Sequence, residues 1–481
     1  MLTMKKFIYI ILAMLCLPGC SWLDVKPYDE ISGEDLQSTE NGFIRQLNGV
    51  YIELNRDMLY GGALSVEMVE IMGGAYVIGT SNAVWGNYSD ISKYKYGTDY
   101  WRARLSETWN KSYSMILNCN LILNAIDEKK DLFSGDNYSI VKGEALALRA
   151  MLHFDMLRLF GPVYSRNPES LSIPYYTAYT TVPEDLLPAS EAAKKIIADL
   201  REARILLSAD PILTQGTRMD GPNDGSSSFL YYRPLRMNYY AVTALLARAS
   251  LYFGDRKSAF TYSTEVIGAI NKGIFSFVDR SLVTGSPEDP DRIFSSEVIF
   301  ALSHASRNEL FKNYYDPSRV PNFVFRIDPD VFSKLIFGGS DTGGSQDDYR
   351  CRVNWIATGS NRYFYKYSDM ADYSNIRNTM IPMIRMGEMY LIAAESRSET
   401  LADGLAYVNQ LRSNRGVSPL PKLTQELLQY EYIRELYGEG QLFYMYKRMF
   451  SRVLVSATES KNIKPSDEIF VVPLPDTEMQ N

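Results

Sequence analysis

Histidine is almost missing from this chain: its 481 residues hold two, His153 and His304. Cysteine is scarce too, with four. There is no Cys-x-x-Cys pair, no His-Glu-x-x-His, no Gly-x-Ser-x-Gly and no glycine-rich phosphate loop. These absences remove the common zinc, serine-hydrolase and nucleotide chemistries. A paired-carboxylate glycosidase escapes such a test, because its two acids lie anywhere in sequence; a helical, non-catalytic scaffold accounts better for the pattern below. His153 sits in the most apolar helical stretch, so a satisfied core imidazole is expected there. Positive charge is in deficit as well. Lys and Arg number 50 against 57 Asp and Glu, net −7, which gives no grip on nucleic-acid phosphates. After the first twenty residues no run approaches the roughly 18 apolar residues of a membrane helix.

What the chain has is an N-terminal leader. Lys5 and Lys6 precede the nine-residue apolar run "FIYIILAML" (Phe7 to Leu15), too short to span a bilayer and suited to a signal peptide. "LPGC" (Leu17 to Cys20) then resembles the bacterial lipobox, with Pro18 a departure from the usual small residue. On this reading residues 1–19 are removed, Cys20 becomes the lipid anchor, and residues 20–35 form a tether. Losing the leader removes two lysines and no acids, so the mature net charge is 48 − 57 = −9. Of the later cysteines, Cys119 lies in an apolar helical pattern. Two buried free thiols, Cys119 and Cys351, are expected rather than a disulfide.

Most of the body reads as helix. "NGFIRQLNGVYIEL" (Asn41 to Leu54), "ETWNKSYSMILNCNLILNAID" (Glu107 to Asp127) and "SIVKGEALALRAMLHFDMLRLFGP" (Ser139 to Pro162) carry helical apolar spacing. The last is apolar nearly all round and should be central. Trp109 is in phase with apolar neighbours and reads as core. "ALALRAMLHF" (Ala145 to Phe154) recurs as "ALLARASLYF" (Ala244 to Phe253) and, more weakly, as "EMYLIAAES" (Glu388 to Ser396). The second and third copies are each followed by another helical stretch, the pattern of tetratricopeptide-like hairpins. Their uneven spacing predicts scattered hairpins rather than a regular solenoid. Arg149 and Arg248, equivalent in the two strong copies, read as structural partners of carboxylates or helix ends. "DGPNDG" (Asp220 to Gly225) lacks the alternating acids of a calcium loop and reads as a turn. Between the hairpins, stretches near 61–100, 208–234 and 280–375 are rich in Gly, Tyr, Ser, Asn, Pro and Asp, and loops of this kind carry binding.

Several stretches in order resemble the SusD/RagB family of Bacteroidetes outer-membrane lipoproteins. They are "CSWLDVKP" at the mature start, "WNKSYSMILNCNLIL", "KGEALALRAMLHFDMLRLFGP", "LLARASLYFGD", "IRMGEMYLIAAES", "VNQLRSNRG", "YIRELYGEGQLFYMYKR" and "VPLPDTE". They cover nearly the whole chain. "YGEGQLFYMYKR" departs from the family's commoner "EGxRxxDLxR", which marks a divergent subgroup. The resemblance implies a mainly α SusD-like fold over 20–481, with four tetratricopeptide-like units beneath a loop-rich face. It implies a surface-exposed lipoprotein of the outer membrane, no enzyme, that hands nutrient to a SusC-like TonB-dependent transporter. The ligand is a glycan, or a peptide in some members. An envelope assembly factor without a nutrient ligand is the reading from outside that class.

Sugar binding has specific demands: ring faces for pyranose C–H surfaces, and amides or charges for hydroxyls. "YVIGTSNAVWGNYSD" (Tyr76 to Asp90) meets them with Tyr76, Trp85, Tyr88, Asn82 and Asn87. "VNWIATGSNRYFYKY" (Val353 to Tyr367) adds Asn354 and Trp355. Trp85 and Trp355 are expected to stack on the ligand.

Overall fold

The computed structural model describes residues 36–478 apart from 75, 79–82, 224–226, 286–289, 320–323, 371–374, 398–400 and 453–462. The leader, Cys16, Cys20 and the 20–35 tether lie outside the described residues. Helix α1 (Glu40–Glu53) starts behind Thr39, whose hydroxyl accepts the Gly42 N–H at 3.1 Å, a side-chain cap on an otherwise unpaired donor. Short helices α2 (Met68–Met72) and α3 (Ala83–Ser92) precede the 28-residue α4 (Asp99–Ile126). Helix α5 (Asn137–Phe160) is buried at every position from Gly143 onward, which is why its apolar pattern has no polar face. It ends at Gly161-Pro162, as expected.

The repeats are helical hairpins. Helix α5 pairs with α6 (Ala189–Leu206), and α7 (Tyr239–Tyr252) with α8 (Arg256–Asn271). After a seven-residue helix α9 (Asn308–Tyr314), α10 (Met386–Ser396) pairs with α11 (Leu405–Ser413). Helices α12 (Gln425–Leu436) and α13 (Leu442–Met449) follow. In space the hairpins are not scattered. Helix α4 packs on α5, α6 on α7, and α8 on α10, so units separated in sequence form a continuous row. Small residues of the repeats (Ala145, Ala147, Ala244, Ala247, Ala393, Ala394) are all fully buried or nearly so, which lets the helix axes approach. One apolar core runs from Phe43 to Val472.

The structural reading of the repeat arginines holds, with different partners in each copy. Arg149 forks onto Asp199 of α6 at 2.7 and 2.8 Å, within its own hairpin. Arg248 forks onto Glu388 of α10 at 2.7 and 2.6 Å, between hairpins. His153 is fully buried, stacks on Tyr175 at 3.9 Å, and contacts Arg149 O at 2.9 Å through Nδ1. Its Nε2 accepts the Tyr176 N–H at 3.2 Å. Burial pushes its pKa down to about 3, so the ring is a neutral core group. Cys119 and Cys351 are buried and unpaired.

Short strands complete the loop-rich side. β1 (Leu171–Ile173) and β2 (Leu187–Pro188) form one antiparallel pair. β3 (Val298–Ser303) pairs antiparallel with the much later β7 (Met380–Arg385). β6 (Asn361–Phe364) lies between β4 (Arg326–Ile327) and β5 (Trp355–Thr358). A buried charge network fastens this side to the scaffold. Glu435 of α12 accepts from Arg415 and Arg385 at 2.7 Å and from Arg350 at 3.0 Å. Burial raises its pKa, but the three guanidiniums overcome that and hold the carboxyl well below the usual range. The "YGEGQ" turn, just before the divergent stretch, has its own partner. Gly438 and Gly440, at φ +76° and +69°, donate their N–H groups to the fully buried Glu70 of α2 at 2.7 and 2.8 Å. Only glycine holds such left-handed backbone cheaply.

Candidate ligand-binding face

The sequence placed the aromatic ligand contacts on loops. The structure puts Trp85 and Tyr88 on helix α3 instead, and Trp355 on strand β5. Positions 85, 88, 89 and 92 are buried at i, i+3, i+4 and i+7, a helical stripe that the polar residues between them obscured. Trp85 is 7 % exposed and Trp355 8 %. Trp355 is packed by Phe332, Phe364 and Tyr437 at 4.9 to 5.3 Å between ring centres. Asn354 is buried beside it, its carbonyl accepting from the Tyr365 N–H at 2.8 Å. Asn87 is half-buried, and its carbonyl accepts the Trp101 indole N–H at 2.6 Å. Asn82 lies outside the described residues.

Tyr76 is also buried, but it is the base of something that reaches the surface. Its ring stacks on Phe325 at 4.4 Å and 2°. Phe325 in turn lies parallel to Tyr314 at 5.6 Å and 3°. The outermost ring, Tyr314 at the end of α9, is half-buried. A short pillar of three parallel rings thus rises from the core and ends at solvent.

Polar groups surround the pillar's tip. Tyr314 Oη donates to Asp57 at 3.3 Å. Arg104 of α4 donates to Asp57 at 3.0 Å and also to the buried Glu67. Glu67 takes a second bond, from Tyr88 Oη at 2.9 Å. Burial pushes the Glu67 pKa up, and Arg104 counters it. Tyr100, at the first turn of α4, is 41 % exposed and lies in the field of the same Glu67, Arg104 and Asp57. Burial raises the phenol pKa values of Tyr88, Tyr100 and Tyr314, so all three remain neutral hydroxyls at neutral pH. The arrangement places two aromatic surfaces and an exposed carboxylate beside the buried guanidinium of Arg104. Among the described residues no cluster of three or more His, Cys, Asp or Glu is placed to hold a metal ion.

Tyr100, Tyr314, Phe325, Asp57, Glu67 and Arg104 are therefore the residues that sequence reading missed. The signal was faint but present: "NYYDPS" (Asn313 to Ser318) doubles a tyrosine immediately before an Asp-Pro turn, and Tyr100 closes the Gly- and Tyr-rich stretch near 61–100.

Two family patterns match this chain. One, described as SusD-like, starch-binding and associating with the outer membrane, covers residues 21–219. The other, described as the SusD family, covers residues 338–469. The chain belongs to the SusD/RagB family. SusD-family proteins bind rather than catalyse. Among SusD relatives, the SusD-like protein P2 of Formosa agariphila is 24 % identical over 209 residues, 42 % of this chain and 38 % of that protein. The match thus spans well under two thirds of that relative's length. A SusD superfamily structure from Bacteroides fragilis superposes with a TM-score of 0.67 at 21 % identity, covering 93 % of this chain and 98 % of the other. A SusD-like carbohydrate-binding protein from Bacteroides vulgatus gives 0.64 at 20 % identity, covering 86 % and 84 %. At such identities these structures speak for the SusD fold.

Proposed function

We propose that this protein is a surface glycan-binding lipoprotein that captures oligosaccharide and delivers it to a partner TonB-dependent outer-membrane transporter. The ring pillar ending in Tyr314 beside Asp57 and Arg104 is the observation that carries the reading. A pyranose lays its C–H face on such a ring while its hydroxyls meet the carboxylate and the guanidinium. The SusD membership and the carbohydrate-binding description of the Bacteroides vulgatus structure support the same ligand class. Tyr314 and Tyr100 form the platform, and Asp57 and Arg104 bind hydroxyls. Tyr76, Tyr88 and Trp85 form the layer beneath, in place of the direct contacts expected of them. Cys20 anchors the chain to the outer membrane, and the transporter receives the ligand from this face.

Affinity electrophoresis on a panel of neutral polysaccharides tests the face. Tyr314→Ala and Tyr100→Ala are each expected to weaken retardation by about tenfold, the equivalent of about 1.4 kcal/mol. Unchanged retardation of both variants on a glycan that retards the parent rejects this face as the site.

A further inference from the structure

A cavity of about 370 Å3 lies away from the pillar. It sits where the end of hairpin α7–α8 meets the paired strands β3 and β7. Its walls include Phe275 and Val298, 3 % and 1 % exposed, and its polar lining includes Thr217, Ser276, Ser296 and Arg377.

Three observations make this more than a gap. Ser296 Oγ is buried without a hydrogen-bond partner, a costly state that a ligand hydroxyl relieves. Arg377 has no ion-pair or hydrogen-bond partner for its guanidinium among the described residues. The turn that carries Arg377 is fixed in advance: Arg307, 2 % exposed, donates to the Arg377 carbonyl at 2.8 Å, and Asn375 caps the Arg377 N–H at 3.0 Å. The opposite wall is tied as well, with the Ser276 N–H donating to Ser296 O at 3.2 Å. An apolar wall, a few convergent polar groups and a volume of this size are the usual makings of a small-molecule site.

We infer that this cavity is a second subsite that takes a carboxylate-bearing sugar residue, a uronate, alongside the neutral-glycan face. The inference rests on the glycan reading above. The free guanidinium forks onto the planar carboxylate, a geometry that arginine matches with two parallel bonds. Ser296, Ser276 and Thr217 meet ring hydroxyls, and Phe275 and Val298 receive the C–H face. Glycans carrying both neutral and uronate residues are the ligands such a pair of sites selects.

Titration calorimetry with D-glucuronate, D-glucose and acetate as probes decides it. D-glucuronate is expected to bind at least about tenfold more tightly than either D-glucose or acetate. Arg377→Gln abolishes that preference, Arg377→Lys retains part of it, and Ser296→Ala weakens it. Circular dichroism checks that each variant folds. Three results overturn the subsite: no glucuronate binding to the parent, acetate binding as well as glucuronate (an adventitious anion only), or a folded Arg377→Gln that keeps the preference. Retardation of the parent on neutral polysaccharides is measured separately, so failure of the Tyr314 face and failure of this cavity are told apart.

Discussion

Glu70 shows how one buried carboxyl can set a pH response. Burial pushes its pKa up to about 8, against the two glycine N–H groups that favour its charged form. In the unfolded chain it titrates like any glutamate, near 4.5. Between those values the native state keeps a proton that the unfolded state has released, so raising the pH favours unfolding. Stability contributed by this group is present below about 4.5 and is lost as pH rises toward about 8. Urea midpoints measured across that range should show parent stability falling relative to Glu70→Gln, by up to about 1.4 kcal/mol per pH unit. A flat difference curve refutes the assignment. Glu70 joins α2, three residues after Glu67 of the proposed ligand face, to the glycine turn behind α12. The two glycines of "YGEGQ" are thereby explained: both are needed to present N–H groups to one carboxyl.

At the scale of elements, side chains from the central helices hold a segment with little regular structure of its own. Residues 174–179 run over α4 and α5, and their backbone is gripped from below. Tyr113 donates to Pro174 O, and Asn120 to Tyr176 O and Ala178 O, each at 3.1 Å. Arg149 reaches Thr177 O at 3.3 Å while forking onto Asp199. One arginine thus ties α5 to its hairpin partner and to the overlying strap. Arg149→Met leaves Asp199 buried with Tyr175 as its remaining side-chain partner. The expected cost is about 3–5 kcal/mol, because a buried carboxylate loses its countercharge. Arg149→Lys recovers only part of it, since an ammonium cannot fork. Urea denaturation of the two variants measures both; a loss under about 1 kcal/mol in Arg149→Met contradicts the role. A similar tie closes the end of α5, where the buried Lys447 of α13 donates to Leu159 O at 3.2 Å and to Gly161 O at 2.7 Å. These carbonyls belong to the helix terminus and have no partner within the helix.

For the whole molecule, the proposal makes the row of hairpins the back and the long connections the face that meets ligand. Surface capture, on that proposal, also needs the anchor. Mass spectrometry of the mature N-terminus is expected to find acylated Cys20 as the first residue. An unmodified cysteine, or cleavage elsewhere, ends the anchoring argument and leaves the fold untouched. One acyl chain holds a protein only marginally, whereas two or three hold it firmly at about 0.8 kcal/mol per buried methylene.

The amino-acid sequence alone specified the helical back: the stripes of α1, α4 and α5, the stop at Gly161-Pro162, the three repeat copies, and the core places of His153 and Trp109. These follow from residue spacing within one element, because burial on a helix repeats every 3.6 residues. It also carried the ordered stretches that resemble SusD. Which aromatic rings face solvent was another matter. Trp85, Tyr88 and Trp355 carry the residue types of a sugar platform, but the fold buries them, and the positions that reach solvent fell to Tyr100 and the half-buried Tyr314. Asp57, Glu67, Arg104 and Tyr314 come from segments separated by up to 257 residues, the span of the Tyr314–Asp57 bond. No local periodicity encodes such a meeting. Tertiary packing alone decided it, by stacking Tyr76 on Phe325 and Phe325 beneath Tyr314, so that the last ring of the pillar, and not the first, reached the water.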